Sequence, residues 1–175
     1  AGINLRDIEY LEVFASGLKH QDEAEIKGLI HAYGLSKKRL KTAGTTAIGS
    51  IKSNSGHTYA ASGMAGLIKT ALCLHNRFFP GTPGWSRPKE PERWKESPFF
   101  VPLDSRTWFN ESKKQVRVAA INGMGSDGTC AHLILSDEPG QRREENQYLA
   151  QLPLSLFLLT ANTLDGLLNE LKQLT

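Results

Sequence analysis

IGSIKSNSGHTYAASGMAGLIKTALCLHNRFFPGT, residues 48–82, is the stretch that decides the fold. It opens on a short apolar strand, residues 47–51, runs through a polar loop, KSNSGHT at 52–58, and enters a helix over residues 60–75. Within that helix Ala61, Met64, Ala65, Ile68, Leu72 and His75 recur at steps of three and four, the spacing of one helical face. The other faces carry Leu67, Ala71 and Leu74. A helix apolar nearly all round is expected to be buried. Ser62, Gly63 and Gly66 are small and permit the close approach of another backbone.

Upstream, residues 8–15 read IEYLEVFA and are expected to form a buried strand. Residues 22–33 place Ala24, Ile26, Leu29, Ile30 and Tyr33 at helical spacing, with Gly34 as the stop signal. Downstream, residues 80–102 hold six prolines together with Trp85, Trp94, Phe99 and Phe100. That many ring constraints predict an irregular segment, and the aromatics predict that it is pinned to a surface. Residues 116–122 and 130–136 read as strands joined by the glycine turn GMGSDGT, a hairpin with a long loop. The expected organisation is one unit over 1–138, a polar linker over 139–151, and the start of a following unit over 152–175. That last part holds a strand at 154–160 and an amphipathic helix at 163–174. No internal repeat is present.

The chain has 175 residues, of which 39% are hydrophobic and 22% charged, enough for one soluble core. A net charge of +3 without a nucleic-acid motif argues against a nucleic-acid binder. The basic run Lys37-Lys38-Arg39 reads as a solvated loop or helix end. Two cysteines, Cys73 and Cys130, are too few for a disulfide framework and match no metal spacing. Reduced thiols in a cytoplasmic protein are therefore expected, and no apolar run approaches the ~20 residues of a membrane span. The start, Ala1-Gly2-Ile3-Asn4, has no initiating Met and no signal-peptide pattern, and reads as the middle of a longer chain.

Three segments, in order, resemble the β-ketoacyl synthases, the condensing domains of fatty-acid and polyketide synthases. Residues 48–82 resemble the family's KSN-x-GHT region, with its preceding strand, small-residue helix and proline turn. Residues 10–29, YLEVFASGLKHQDEAEIKGL, resemble the Y-x-E-x-HGTGT region followed by GD-x-x-E. Tyr10, Glu12, Gly17, Asp22 and Glu25 fall on matching positions, while Phe14 falls on the first catalytic histidine. Residues 121–135, INGMGSDGTCAHLIL, resemble the glycine-rich strand-turn-strand near the end of these domains. There Gly125, Gly128, Thr129, Ala131 and His132 match, and Met124, Ser126 and Asp127 depart from the pattern. The resemblance covers roughly residues 1–138 and implies an α/β, thiolase-like layered αβαβα fold, of which this chain is most of the second, C-terminal half. The helix over 60–75 would lie in the middle layer.

In such enzymes a cysteine thiolate accepts an acyl chain, and a decarboxylated malonyl-type extender attacks it. The enolate oxygen needs hydrogen-bond donors in a dry site. The resemblance implies that His57 is one of two neutral histidines supplying them, near a helix start whose dipole disfavours the imidazolium. It implies that Lys52 organises the site, paired with a carboxylate, or acts as a structural ion-pair partner. Phe14 cannot donate a hydrogen bond or take a proton. Phe14, Met124, Gly125, Ser126, Asp127 and Gly128 would form the acyl pocket and its gating turn, with the Asp127 charge close by. His132 is expected to be structural, His20 and His31 to lie on the surface, and Asp22 and Glu25 to cap or pair near the helix start. Neither Cys73 nor Cys130 aligns with the nucleophile, which the resemblance assigns to the N-terminal half. By itself the chain is therefore not expected to be a complete ketosynthase.

Two readings follow. One is a non-condensing partner of the chain-length-factor type, working with an active ketosynthase. The other is an active β-ketoacyl synthase with a divergent site. Expected partners are the N-terminal half of the same domain, a ketosynthase homo- or heterodimer partner, and an acyl carrier protein whose phosphopantetheine arm brings the substrate. No directly bound cofactor, metal, nucleic acid or membrane is expected.

Overall fold

The computed structural model describes residues 2–34, 44–95, 97–109, 116–137, 163–166 and 168. The chain divides into two compact units, Ala1–Gln141 and Arg142–Thr175. In the second unit Leu164, Asp165, Gly166 and Leu168 are helical, within the helix expected over 163–174. The expected linker, the strand at 154–160 and the basic run at 37–39 lie outside the described residues.

In the first unit the strands are β1 (Ile8–Glu12), β2 (Thr46–Gly49), β3 (Phe78–Phe79), β4 (Phe99–Phe100), β5 (Arg106–Thr107), β6 (Val118–Met124) and β7 (Cys130–Ser136). The helices are α1 (Lys19–Gly34), α2 (Lys52–Ser55), α3 (Ser62–Asn76) and α4 (Pro91–Lys95). Five strands form one sheet in the order β4-β2-β1-β6-β7. The first three pairings are parallel and the last, β6 with β7, is the antiparallel hairpin expected from the glycine turn. β3 and β5 form a separate two-stranded ribbon.

Alternation along the strands sorts the sheet into two faces. Leu11, Val13, Ile48, Val118 and Ala120 belong to one core, with Tyr33, Ile26, Leu29 and Ile30 of α1 and Trp94 packed into it. Tyr10, Ala47 and Ala119 belong to the other, with Cys73 and Leu74 of α3, Phe79 and Trp108. The segment from 80 to 102 is irregular, as expected, apart from α4 and β4, and Trp94 and Phe99 pin it to the α1 side.

Two expectations need correction. KSNSGHT is not wholly loop, because its first four residues form α2. Nor is α3 buried all round: its buried residues are Ser62, Gly66, Thr70, Cys73 and Leu74, whereas Met64, Ile68 and Leu72 are each more than half exposed. Ser62, Gly66 and Thr70 turn toward the sheet, where small residues allow the closest approach, together with Cys73 and Leu74, and Met64, Ile68 and Leu72 form a stripe on the opposite face. Among the described residues no helix is long and apolar enough to cross a membrane.

Candidate functional site

β1 has β2 on one side and β6 on the other, and the chain visits them through separate connections. Such a switch in strand order leaves a crevice at the carboxyl ends of the parallel strands, where ligands bind in open α/β sheets. The segments bearing Phe14 and His57 leave the ends of β1 and β2.

The Phe14 segment is held by α1. Phe14 N–H donates to Glu25 Oε1 at 2.8 Å and Ala15 N–H to Oε2 at 2.9 Å. Asp22 accepts from Ser16 Oγ at 3.1 Å and from Gly17 N–H at 3.2 Å. Both carboxylates thus cap the turn before the helix, as expected. Asn122 Nδ2 donates to Glu25 Oε1 at 3.1 Å, and His132 Nδ1 stands 2.8 Å from Asn122 Oδ1. With its amide nitrogen committed to Glu25, Asn122 presents an oxygen that only accepts, so His132 Nδ1 carries the proton. His132 thereby ties β7 to β6. His20 and His31 are exposed, also as expected.

Lys52 corrects a further expectation. Among the described residues no carboxylate pairs with it. Its Nζ donates to the Phe14 carbonyl at 2.5 Å and stands 4.3 Å from the centre of the Phe14 ring, a cation–π placement. Partial burial lowers the Lys52 pKa below that of an ordinary lysine, and nearby Lys69 adds to this while Glu12, Glu25 and Asp22 oppose it.

His57 follows Gly56, whose φ of 78° and ψ of 177° lie in a region that glycine alone adopts freely. Two rings neighbour the imidazole: Phe14 edge-on with centroids 5.7 Å apart, and Tyr59 tilted by 34° at 5.3 Å. Tyr59 N–H donates to His57 Nδ1 at 3.0 Å. That bond makes Nδ1 an acceptor and leaves the ring proton on Nε2, free to donate. The 3-10 turn Tyr59–Ala61 separates His57 from the first residue of α3, so the backbone N–H of Tyr59, not the α3 terminus, is what touches the ring.

A cavity of about 540 Å³ opens beside these groups, with Val13, Ala15, Lys52, His57, Trp85 and Trp94 among its walls. Its lining mixes apolar side chains with charged ones, among them Asp22, Glu25 and Arg87. The glycine turn does not border it. Gly125, Ser126, Asp127 and Gly128 are exposed, and Met124 is 36% exposed. Asp127 turns its carboxylate into its own turn, accepting from Thr129 Oγ1 at 2.7 Å and Thr129 N–H at 3.1 Å. Those bonds hold its pKa below the usual carboxylate value.

Sequence reasoning missed three contributors: Lys69, Asn122 and the Tyr59 N–H. Lys69 bonds Glu12 Oε2 at 2.9 Å, and both side chains are almost fully buried. The available signal was a single cation in the otherwise apolar run GMAGLIKTALCL.

Residues 1–85 match the family model of the β-ketoacyl synthase C-terminal domain. The chain is 34% identical over 163 residues to a component of the phenolphthiocerol/phthiocerol polyketide synthase of Mycobacterium tuberculosis, covering 93% of this chain and 11% of that protein. It is 31% identical over 160 residues to the polyketide synthase PksL of Bacillus subtilis, covering 91% of this chain and 3% of that one. Among solved structures, the ketosynthase from module 6 of the bacillaene synthase of Bacillus subtilis superposes with a TM-score of 0.69 at 31% identity, covering 76% of this chain and 23% of that one. A ketosynthase from module 1 of the bacillaene synthase of Bacillus amyloliquefaciens gives 0.69 at 29% identity, covering 79% and 23%. The chain thus spans only a small part of the proteins it matches. With its parallel-rich sheet, its retained KSN-x-GHT segment and these relatives, the chain belongs to the β-ketoacyl synthase family as a C-terminal domain of thiolase-like fold.

Proposed function

We propose that this chain is the second half of a ketosynthase-type domain of a polyketide synthase that does not carry out decarboxylative condensation, and that it serves as the partner of an active ketosynthase. The observation that carries this reading is the Phe14 ring. It stands 5.7 Å from His57 with the Lys52 ammonium 4.3 Å from its face. By the resemblance Phe14 falls on the family's other donor, and a phenyl ring has no proton to give. Loss of one oxyanion donor costs about 10²–10³ in rate. His57 Nε2–H retains one donor to a thioester carbonyl, which favours binding of an acyl or malonyl thioester carried on a phosphopantetheine arm. The same donor and the intact residues 52–58 favour the second reading, an active synthase with a divergent site.

The test uses the complete domain containing this chain, with and without a neighbouring ketosynthase. Malonyl-loaded carrier protein is supplied, and carbon dioxide release and ketoacyl product are followed by mass spectrometry for the parent, His57→Ala and Phe14→His. The expected outcome is no product from the domain alone and an altered product from the active ketosynthase when the two are combined. Where a cysteine occupies the nucleophile position, Phe14→His is expected to raise condensation by about 10²-fold or more. Condensation by the parent domain alone, abolished in His57→Ala, overturns the partner reading.

A further inference from the structure

Glu12 is the only fully buried charged side chain among the described residues, at 2% exposure. It leaves β1 on the α3 side of the sheet, two residues before Phe14. Three donors converge on its carboxylate: Ile51 N–H at 2.6 Å, Tyr10 O–H at 2.7 Å and Lys69 Nζ at 2.9 Å. Two glycines clear the space. A Cβ at Gly66 would meet Glu12 Cγ at 3.2 Å, and one at Gly49 would meet the Tyr10 hydroxyl at 2.9 Å.

Ile51 is the N-cap of α2 and makes no side-chain cap of its own. Its N–H is therefore one of the donors that a helix start leaves unpaired, and Glu12 accepts it from 39 positions earlier in the chain. An apolar pair of similar volume could fill the gap between β1 and α3, but it would leave that N–H without an acceptor. Lys52 follows Ile51 directly as the first residue of α2, and His57 lies just past the C-cap Gly56.

We propose that the buried Glu12–Lys69 pair is the positioning device for Lys52 and His57, anchoring the start of α2 to β1 and α3 through the Ile51 N–H. The inference rests on the reading of Lys52 and His57 as the site. The charged groups acting on the Lys52 ammonium are Glu12 of β1, Asp22 and Glu25 of α1, and Lys69 of α3. Glu12 and Lys69 act on it with opposite sign, so their single variants are expected to move it in opposite directions.

The test is NMR on the complete domain containing this chain, with labelled histidine and lysine, on Glu12→Gln, Lys69→Met and the double variant Glu12→Leu/Lys69→Met. Glu12→Gln keeps an acceptor for Ile51 N–H. It is expected to retain the parental Nε2–H signature of His57 while the Lys52 titration midpoint falls, because a carboxylate that raises it is gone. Lys69→Met is expected to move that midpoint upward. The double variant replaces the ion pair by apolar volume, so it is expected to fold, yet to lose the single-tautomer signature of His57. Two outcomes overturn the proposal: a folded double variant with the parental His57 signature, or a Lys52 midpoint unmoved in both single variants. Should the double variant not fold, the single variants decide. None of these signals depends on condensation. A failed site reading, in which His57→Ala affects no acyl reaction, leaves them intact and is told apart.

Discussion

Gly56 shows how one residue aims the site. At φ 78° and ψ 177° a side chain is strained even where space is open, and nothing lies within 4 Å of the position its Cβ would take. Gly56→Ala is expected to cost about 1–3 kcal/mol from backbone strain alone, read by denaturant unfolding, and to turn His57 away from the Tyr59 N–H. Ala15 makes the converse point, since it holds φ 43° without being glycine. Its N–H and that of Phe14 are bound by a single carboxylate, Glu25, which holds the segment in this conformation. The motif alone located Phe14, Lys52 and His57. It did not reveal that Lys52 would bond the Phe14 carbonyl, because a lysine stem reaches several acceptors and only the folded geometry selects one.

At the scale of elements, α3 divides into two faces with different energetics. Leu74 is 5% exposed and belongs to the Tyr10 core, whereas Leu72 is 54% exposed. Leu74→Ala is expected to cost about 2–5 kcal/mol through lost burial and a cavity. Leu72→Ala is expected to cost under about 0.5 kcal/mol in this chain by itself. Unfolding curves on both variants check the contrast. A large cost for Leu72→Ala in the complete domain would mean that another surface covers the stripe formed with Met64 and Ile68. The periodicity identified the helix but not its buried side. Small residues such as Ser62, Gly66 and Thr70 score weakly as hydrophobic, yet they allow the closest contact with the sheet.

The pH response belongs to the whole molecule. Burial pushes the Cys73 thiol up to about 11 and the Tyr33 phenol up to about 12, and raises Tyr10 well above its ordinary value, with Glu12 adding to the last. These acids keep their protons in the folded state while the unfolded chain releases them from about pH 9 upward. Their stabilising contribution is complete below the unfolded values and is lost as pH rises through the window from about 9 to 12. Lys52 acts in the opposite sense. With its folded value lowered, its contribution grows as pH rises toward that of a free lysine. Three groups oppose one, so Tm is expected to fall above pH 9. Cys73→Ala is expected to flatten the first part of that fall when melting is followed by circular dichroism across the series.

The sequence by itself determined the main elements, namely β1, α1, β2, α3 and the β6–β7 hairpin, the family, and the motif positions of Phe14, Lys52 and His57. Those are local properties: periodicity, turn chemistry and motif spacing are written in neighbouring residues. Only the tertiary structure decided which face of α3 meets the sheet, which ring nitrogen of His57 carries the proton, and that Glu12 finds Lys69 across 57 positions. Each of these depends on which surfaces meet, and the burial that makes a lone charge costly is a property of the assembled layers.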